Sequence, residues 1–140
     1  MVEQLALDED VQTILTTTKA GQKMTENEVY PAVLKKLVAV AGLDTENIQG
    51  VFTADLDSNA SITSAGGISG DDYDCTTRTW YSCTQIGETM LTKTYVAAST
   101  GKIILSAVTP LFDEKDTVVG VVGIDVGLDT VMNMMGNYTI

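Results

Sequence analysis

Histidine is missing altogether from this 140-residue chain. Its absence removes Ser-His-Asp and Cys-His catalysis, imidazole proton shuttles and most zinc sites. Cations are scarce: eight Lys and Arg stand against 19 Asp and Glu, a net charge of −11. Such a surface repels phosphate backbones and anionic headgroups, which argues against nucleic-acid and membrane-surface partners. Two cysteines are too few for a disulfide scaffold but enough for one bridge in an oxidising compartment. No run of about 18 apolar residues could span a bilayer. The longest, Val118 to Val126, is broken by Asp125. The opening MVEQLALDED lacks the basic and apolar regions of a signal peptide, so the chain is expected to be cytoplasmic or a piece of a longer one.

What remains is an ordinary globular composition, 44% apolar and 19% charged, suited to one domain over residues 1–140. Leu7, Val11, Ile14 and Leu15 recur at helical spacing around the acidic stretch LDED, which suits a helix N-terminus. Thr25 to Glu28 (TENE) reads as a capping box for a second helix, although Pro31 allows a start at Tyr30-Pro31 instead. Gly42 is its natural terminator. From Asn47 the period changes to that of strands. Ile48 to Leu56 and ASITSA (60–65) read as a hairpin around the turn DSN, and a loop GGISGDD leads into a short helix, TRTWYSCTQIG, stopped at Gly87. LTKTYVAA, KIILSAVTPLF and TVVGVVGIDV then read as an antiparallel meander joined by STG and DEKD, and LDTVMNMMG as the start of a last helix. The expected fold is α+β: a five-stranded antiparallel sheet, N-terminal helices and a helical insertion, the outline of a PAS-like domain.

Several motifs fail on inspection. DLDSN (Asp55 to Asn59) opens like a calcium loop, but Ala60 and Gly66 stand where glycine and a bidentate glutamate belong, so no metal is expected. GVVGIDVG lacks the Lys-Ser/Thr of a phosphate cradle and reads as a strand. Asp125 interrupts that strand, either as a strand-end acid facing solvent or as a partly buried carboxylate awaiting a cation. The stretch from Asp71 to Cys83 gathers both cysteines, the only Trp and two of five Tyr around Arg78. Arg78 offers a planar fork matching a carboxylate, Trp80 an indole donor, and Tyr73 and Tyr81 phenolic hydroxyls. A helix starting near Thr77 would add backbone donors suited to an anion.

Tyr73, Arg78, Trp80 and Tyr81 form the pattern Tyr-x4-Arg-x-Trp-Tyr, followed by Asp125 in VGIDVGLD. This resembles the double-Cache sensor domains of bacterial chemoreceptors, sensor kinases and cyclic-dinucleotide enzymes, in particular their amino-acid-binding subset. The meander resembles that family's membrane-distal module. The resemblance implies a PAS-like Cache module outside the cytoplasmic membrane, part of a longer, membrane-anchored and dimeric receptor, which binds a free amino acid without a cofactor and is not an enzyme. It implies that Arg78, Trp80 and Tyr81 clamp the ligand carboxylate and that Tyr73 and Asp125 receive its ammonium, with Tyr95 a further candidate. Ala97 departs from the family, which often places a second carboxylate there. Rival readings are a Cache module for another small carboxylate or amine, a structural spacer, or a hydrolase using Asp74 and Asp125. In the oxidising compartment that the resemblance implies, Cys75 and Cys83 are expected to form a disulfide across the Arg-Trp-Tyr cluster.

Overall fold

Asp8 ends one short helix and starts the next. In this computed structural model, which describes residues 2–96 and 101–129, α1 (Val2–Ala6) stops just before it and α2 (Glu9–Thr17) begins after it. The Asp8 carboxylate accepts from the backbone N–H groups of Asp10 (2.9 Å) and Val11 (3.1 Å), two donors that a helix start otherwise leaves unpaired. Lys36 of α3 (Tyr30–Ala41) reaches both Asp8 and Asp10 and ties the two helices together. The acidic start is therefore a cap, as its sequence suggests. The TENE capping box is not formed: Met24–Glu26 make one 3₁₀ turn, and α3 starts with Pro31 in its first turn. Proline's fixed φ and missing N–H suit that position, so the later of the two expected starts is taken.

Six strands form one antiparallel sheet: β1 (Ile48–Asp55), β2 (Ala60–Thr63), β3 (Met90–Leu91), β4 (Tyr95–Val96), β5 (Ile103–Phe112) and β6 (Val118–Gly127). Their order is β2-β1-β6-β5-β3, with β4 also paired to β5. The expected strand LTKTYVAA is interrupted. The ladder with β5 is irregular at Thr92: its N–H donates to the Ser106 carbonyl (2.9 Å), but the Ser106 N–H turns to the Thr92 hydroxyl (2.9 Å). Residues 97–100 and 130–140 lie outside the described residues, and with them Ala97 and most of the expected final helix.

Strand alternation sorts the side chains onto two faces. Val51, Ile62, Val122 and Ile124 turn to the helices and join Val11, Ile14, Leu15, Val33 and Leu37 in the larger core. Phe52, Ala54, Val108 and Val121 turn the other way, onto Cys75, Trp80 and Cys83 of the segment between β2 and β3. That segment holds a 3₁₀ turn (Cys75–Thr77) and a five-residue helix, α4 (Ser82–Ile86), closed by Gly87 at φ 77°. The Gly-rich β6 is a strand whose glycines make room. A Cβ on Gly123 would stand 2.3 Å from the Phe52 ring, and one on Gly120 would stand 2.3 Å from the Ala54 carbonyl oxygen and 2.9 Å from Leu15. Both the aromatic layer and the helical layer lie against these bare positions.

Candidate functional site

Asp125 sits near the end of β6, a strand flanked on both sides. Gly50 of β1 and Ser106 of β5 are its register partners. Its Oδ1 accepts from the Ser106 hydroxyl and from the Tyr95 hydroxyl at 3.1 Å. Its Oδ2 faces the empty position of Gly50, where a Cβ would lie 3.6 Å away. Burial raises the Asp125 pKa, and the Ser106 and Tyr95 hydrogen bonds pull it back. Burial and the neighbouring Asp125 charge push the Tyr95 hydroxyl up to about 12, so it stays a donor. This is a half-buried carboxylate held in place on one oxygen, with the other on the side that lacks a side chain.

Arg78 approaches from the segment between β2 and β3. Asp74 caps the 3₁₀ turn through the Thr76 N–H at 3.0 Å, and the chain then extends at Arg78 (φ −83°, ψ 150°). The expected helix over this stretch starts only at Ser82, so no helix N-terminus stands beside Arg78. The local cap at Asp74 and the burial of Trp80 against Phe52 govern the backbone here. The guanidinium is exposed and lies 5.3 Å from the centroid of the Tyr73 ring, a cation–π contact. No salt bridge joins it to a described carboxylate. Burial raises the Tyr73 pKa, with Cys75 adding to it, and the neighbouring Trp80, Arg78 and Ser61 oppose the rise.

Between these groups lies a cleft of about 410 Å³ whose lining includes Tyr73, Arg78, Trp80, Tyr95 and Asp125. Five of the six residues singled out in the sequence thus converge. Tyr81 does not line the cleft: it packs behind Trp80, with ring centroids 6.3 Å apart. Ser106, Gly50 and the hydroxyls of Thr63, Ser64 and Ser69 were not legible as site residues. Ser106 left a trace, as one of two polar residues, with Thr109, in an otherwise apolar strand. A second cleft, of about 450 Å³, lies between α2 and the start of α3. Its Asn27 amide is already engaged by the Thr17 and Thr18 hydroxyls, and its lining has no aromatic face.

The Cys75–Cys83 bridge is not formed: both thiols are free and buried. Cys75 Sγ donates to the Asp55 carbonyl oxygen (3.8 Å) and Cys83 Sγ to that of Glu88 (3.5 Å), so separate acceptors direct them. Burial pushes both thiols up to about 11, with Asp55 and Asp74 adding to the effect at Cys75. They are small core residues rather than a clasp.

Asp55 anchors the other end of this segment. Asn59, at φ 55°, receives the Cys75 N–H (2.9 Å) and donates to the Tyr73 carbonyl (3.0 Å). Asp55 Oδ2 takes the Ser58 hydroxyl at 2.7 Å, while its buried Oδ1 has no hydrogen-bond partner among the described residues. Burial pushes its carboxyl up to about 6, Ser58 opposes this, and the Asp57 charge adds to it. The folded pKa exceeds the unfolded one, so folding favours the protonated acid. That stabilisation is full below about 3.8 and is lost as pH rises through about 6. Asp55→Asn, which keeps the shape without the charge, is expected to raise the melting temperature at pH 8 and to narrow the gap between pH 5 and pH 8. Thermal unfolding followed by circular dichroism checks it. An unchanged gap would show that Asp55 ionises freely in the folded chain.

Residues 58–133 match the family described as methyl-accepting chemotaxis protein-like, first PDC sensor domain. The methyl-accepting chemotaxis protein PscA of Pseudomonas syringae pv. tomato is 36% identical over 67 residues, which are 47% of this chain and 10% of that protein. The ligand-binding domain of the Pseudomonas aeruginosa amino acid chemoreceptor PctB, solved with L-Arg, superimposes with a TM-score of 0.69 at 22% identity, covering 99% of this chain and 52% of that one. The sensory domain of Campylobacter jejuni Tlp3, solved with isoleucine, gives 0.67 at 15%, covering 94% and 51%. The chain spans about half the length of these solved domains and about a tenth of the curated relative.

Proposed function

We propose that this chain, which belongs to the family of first PDC sensor domains of methyl-accepting chemotaxis protein-like receptors, recognises a free amino acid on behalf of a longer receptor. The observation that carries the reading is the polarity of one cleft. A cation with no carboxylate partner among the described residues, Arg78, lines it together with a carboxylate, Asp125, that has one oxygen engaged and one turned to an empty position. The two charges complement a zwitterion. Arg78 takes the carboxylate with its fork, with the Trp80 indole as a neighbouring donor. Asp125 takes the ammonium, with the Tyr73 hydroxyl beside it and Tyr95 fixing the acid. Tyr81 supports Trp80 from behind instead of touching the ligand. The module is one unit over residues 1–140, and its receptor is membrane-anchored, dimeric and displays this unit outside the cytoplasm. The hydrolase alternative loses its acid pair: Asp74 is exposed, bonds Thr76, and does not line the cleft.

The Asp125 charge provides the test. Asp125→Asn is expected to weaken L-amino acids by about 10- to 100-fold, the worth of one charge-assisted hydrogen bond, and to leave the deaminated carboxylates of the same side chains little changed. Isothermal calorimetry on matched pairs reads both. Equal losses for the two ligand types would place Asp125 outside the ammonium site.

A further inference from the structure

The rest of the cleft lining has a chemistry of its own. Among the hydroxyl residues of β2 and the loop after it in this lining, which include Ser61, three are bonded alike: Thr63, Ser64 and Ser69. Each accepts a backbone N–H. Thr63 Oγ1 takes that of Ala65 (3.3 Å), Ser64 Oγ that of Val51 (3.1 Å), and Ser69 Oγ that of Ser61 (2.9 Å). A hydroxyl whose oxygen is engaged in this way keeps its O–H to give. The loop is pinned on β1 and β2 by further backbone bonds, Ser64 N–H to Val51 O (2.8 Å) and Ser69 N–H to Ser61 O (2.9 Å). The three donors therefore stand on fixed backbone. Gln49 adds an amide to the same lining, and among the described residues no charged side chain other than Arg78 and Asp125 belongs to it.

We propose that this loop selects amino acids with a polar, uncharged side chain that carries an oxygen acceptor. The inference rests on the reading that Arg78 and Asp125 hold the α-carboxylate and α-ammonium. With both charges spent there, a cationic side chain meets no second carboxylate in the lining. An anionic one meets no second cation and faces a chain of net charge −11. An aliphatic side chain would cover three hydroxyl donors without pairing them. A site built to hydrogen-bond rejects an isostere that cannot, because its own polar groups are then left unpaired.

Isosteric pairs read this directly on the unmodified chain. Calorimetry is expected to show L-threonine binding about tenfold or more tighter than L-valine, and L-asparagine tighter than L-leucine by a similar factor. The double variant Thr63→Val/Ser69→Ala is expected to lose most of the preference for L-asparagine over L-leucine, L-asparagine binding more weakly and L-leucine more tightly than to the wild type. L-valine or L-leucine binding as tightly as its polar partner would overturn the selectivity and leave amino-acid recognition standing. Undiminished preference in the double variant would overturn the assignment to this loop. If none of the four amino acids binds, both the selectivity and the reading beneath it fall.

Discussion

Arg78→Ala is expected to remove measurable amino-acid binding from a chain that still folds. The guanidinium is exposed, and its described contact is with the Tyr73 ring at 5.3 Å, worth about 0.5–1 kcal/mol at such a surface position. Its loss should lower the melting temperature by only a few degrees, on the order of 2–5 °C. Binding should suffer far more. Two charge-assisted hydrogen bonds to a carboxylate contribute at least about 3 kcal/mol together, so affinity should fall more than about 100-fold. Arg78→Lys separates charge from shape: the ammonium keeps the attraction and loses the two-pronged geometry, so an intermediate affinity is expected. Calorimetry with a wild-type ligand checks the series. Wild-type affinity in the alanine variant would move the carboxylate away from Arg78.

Gly123→Val should have the largest effect on stability. Even its first added carbon would lie 2.3 and 2.4 Å from atoms of the Phe52 ring and 3.0 Å from Val108. The ring cannot withdraw freely, because Trp80 lies 6.4 Å beyond it, centroid to centroid. Overpacking of a well-filled core costs about 1–3 kcal/mol, and here the backbone of two central strands must also give. A fall of more than about 10 °C in melting temperature is expected, or failure to fold. Gly67→Ala is the control: a Cβ there meets nothing within 4 Å, and its melting temperature should barely move. Thermal scans of both variants decide it. A Gly123→Val chain as stable as wild type would mean that Phe52 can leave the layer without cost.

The parts of this molecule that the sequence made legible are those governed by near neighbours in the chain. Pro31 and Gly42 bracket α3, Gly87 closes α4, and the long apolar runs from Ile103 to Phe112 and Val118 to Gly127 become β5 and β6. Local rules were overridden where burial at a distance decided. The helix expected from Thr77 yields to an extended Arg78, so that Trp80 reaches Phe52, 28 positions earlier in the chain. Tyr81, adjacent to Trp80, turns to its far side and leaves the cleft. Ser106 stayed invisible as a partner of Asp125 because only strand register brings the two together. The cysteines looked like a clasp because they are close in sequence, yet each side chain follows the acceptor that its own turn presents. Arg78 and Asp125, which line one cleft, stood out as candidates because the family pattern spaces them recognisably, whereas the hydroxyl loop carries no such spacing.

The two sides of the cleft differ in how freely their sequence can drift. Asp125 and Ser106 lie on strands in which alternation also assigns Val122, Ile124 and Val108 to their layers. A single inserted or deleted residue in β5 or β6 would move the acid off its face and the apolar neighbours into water in one step. Residues 64–72 are mostly exposed and are fastened to β1 and β2 by backbone bonds together with the Ser64 and Ser69 hydroxyls, none of which assigns apolar side chains to a layer. Substitutions along this loop can therefore change the lining of the cleft one residue at a time, whereas a shift in β5 or β6 changes the acid and the core together.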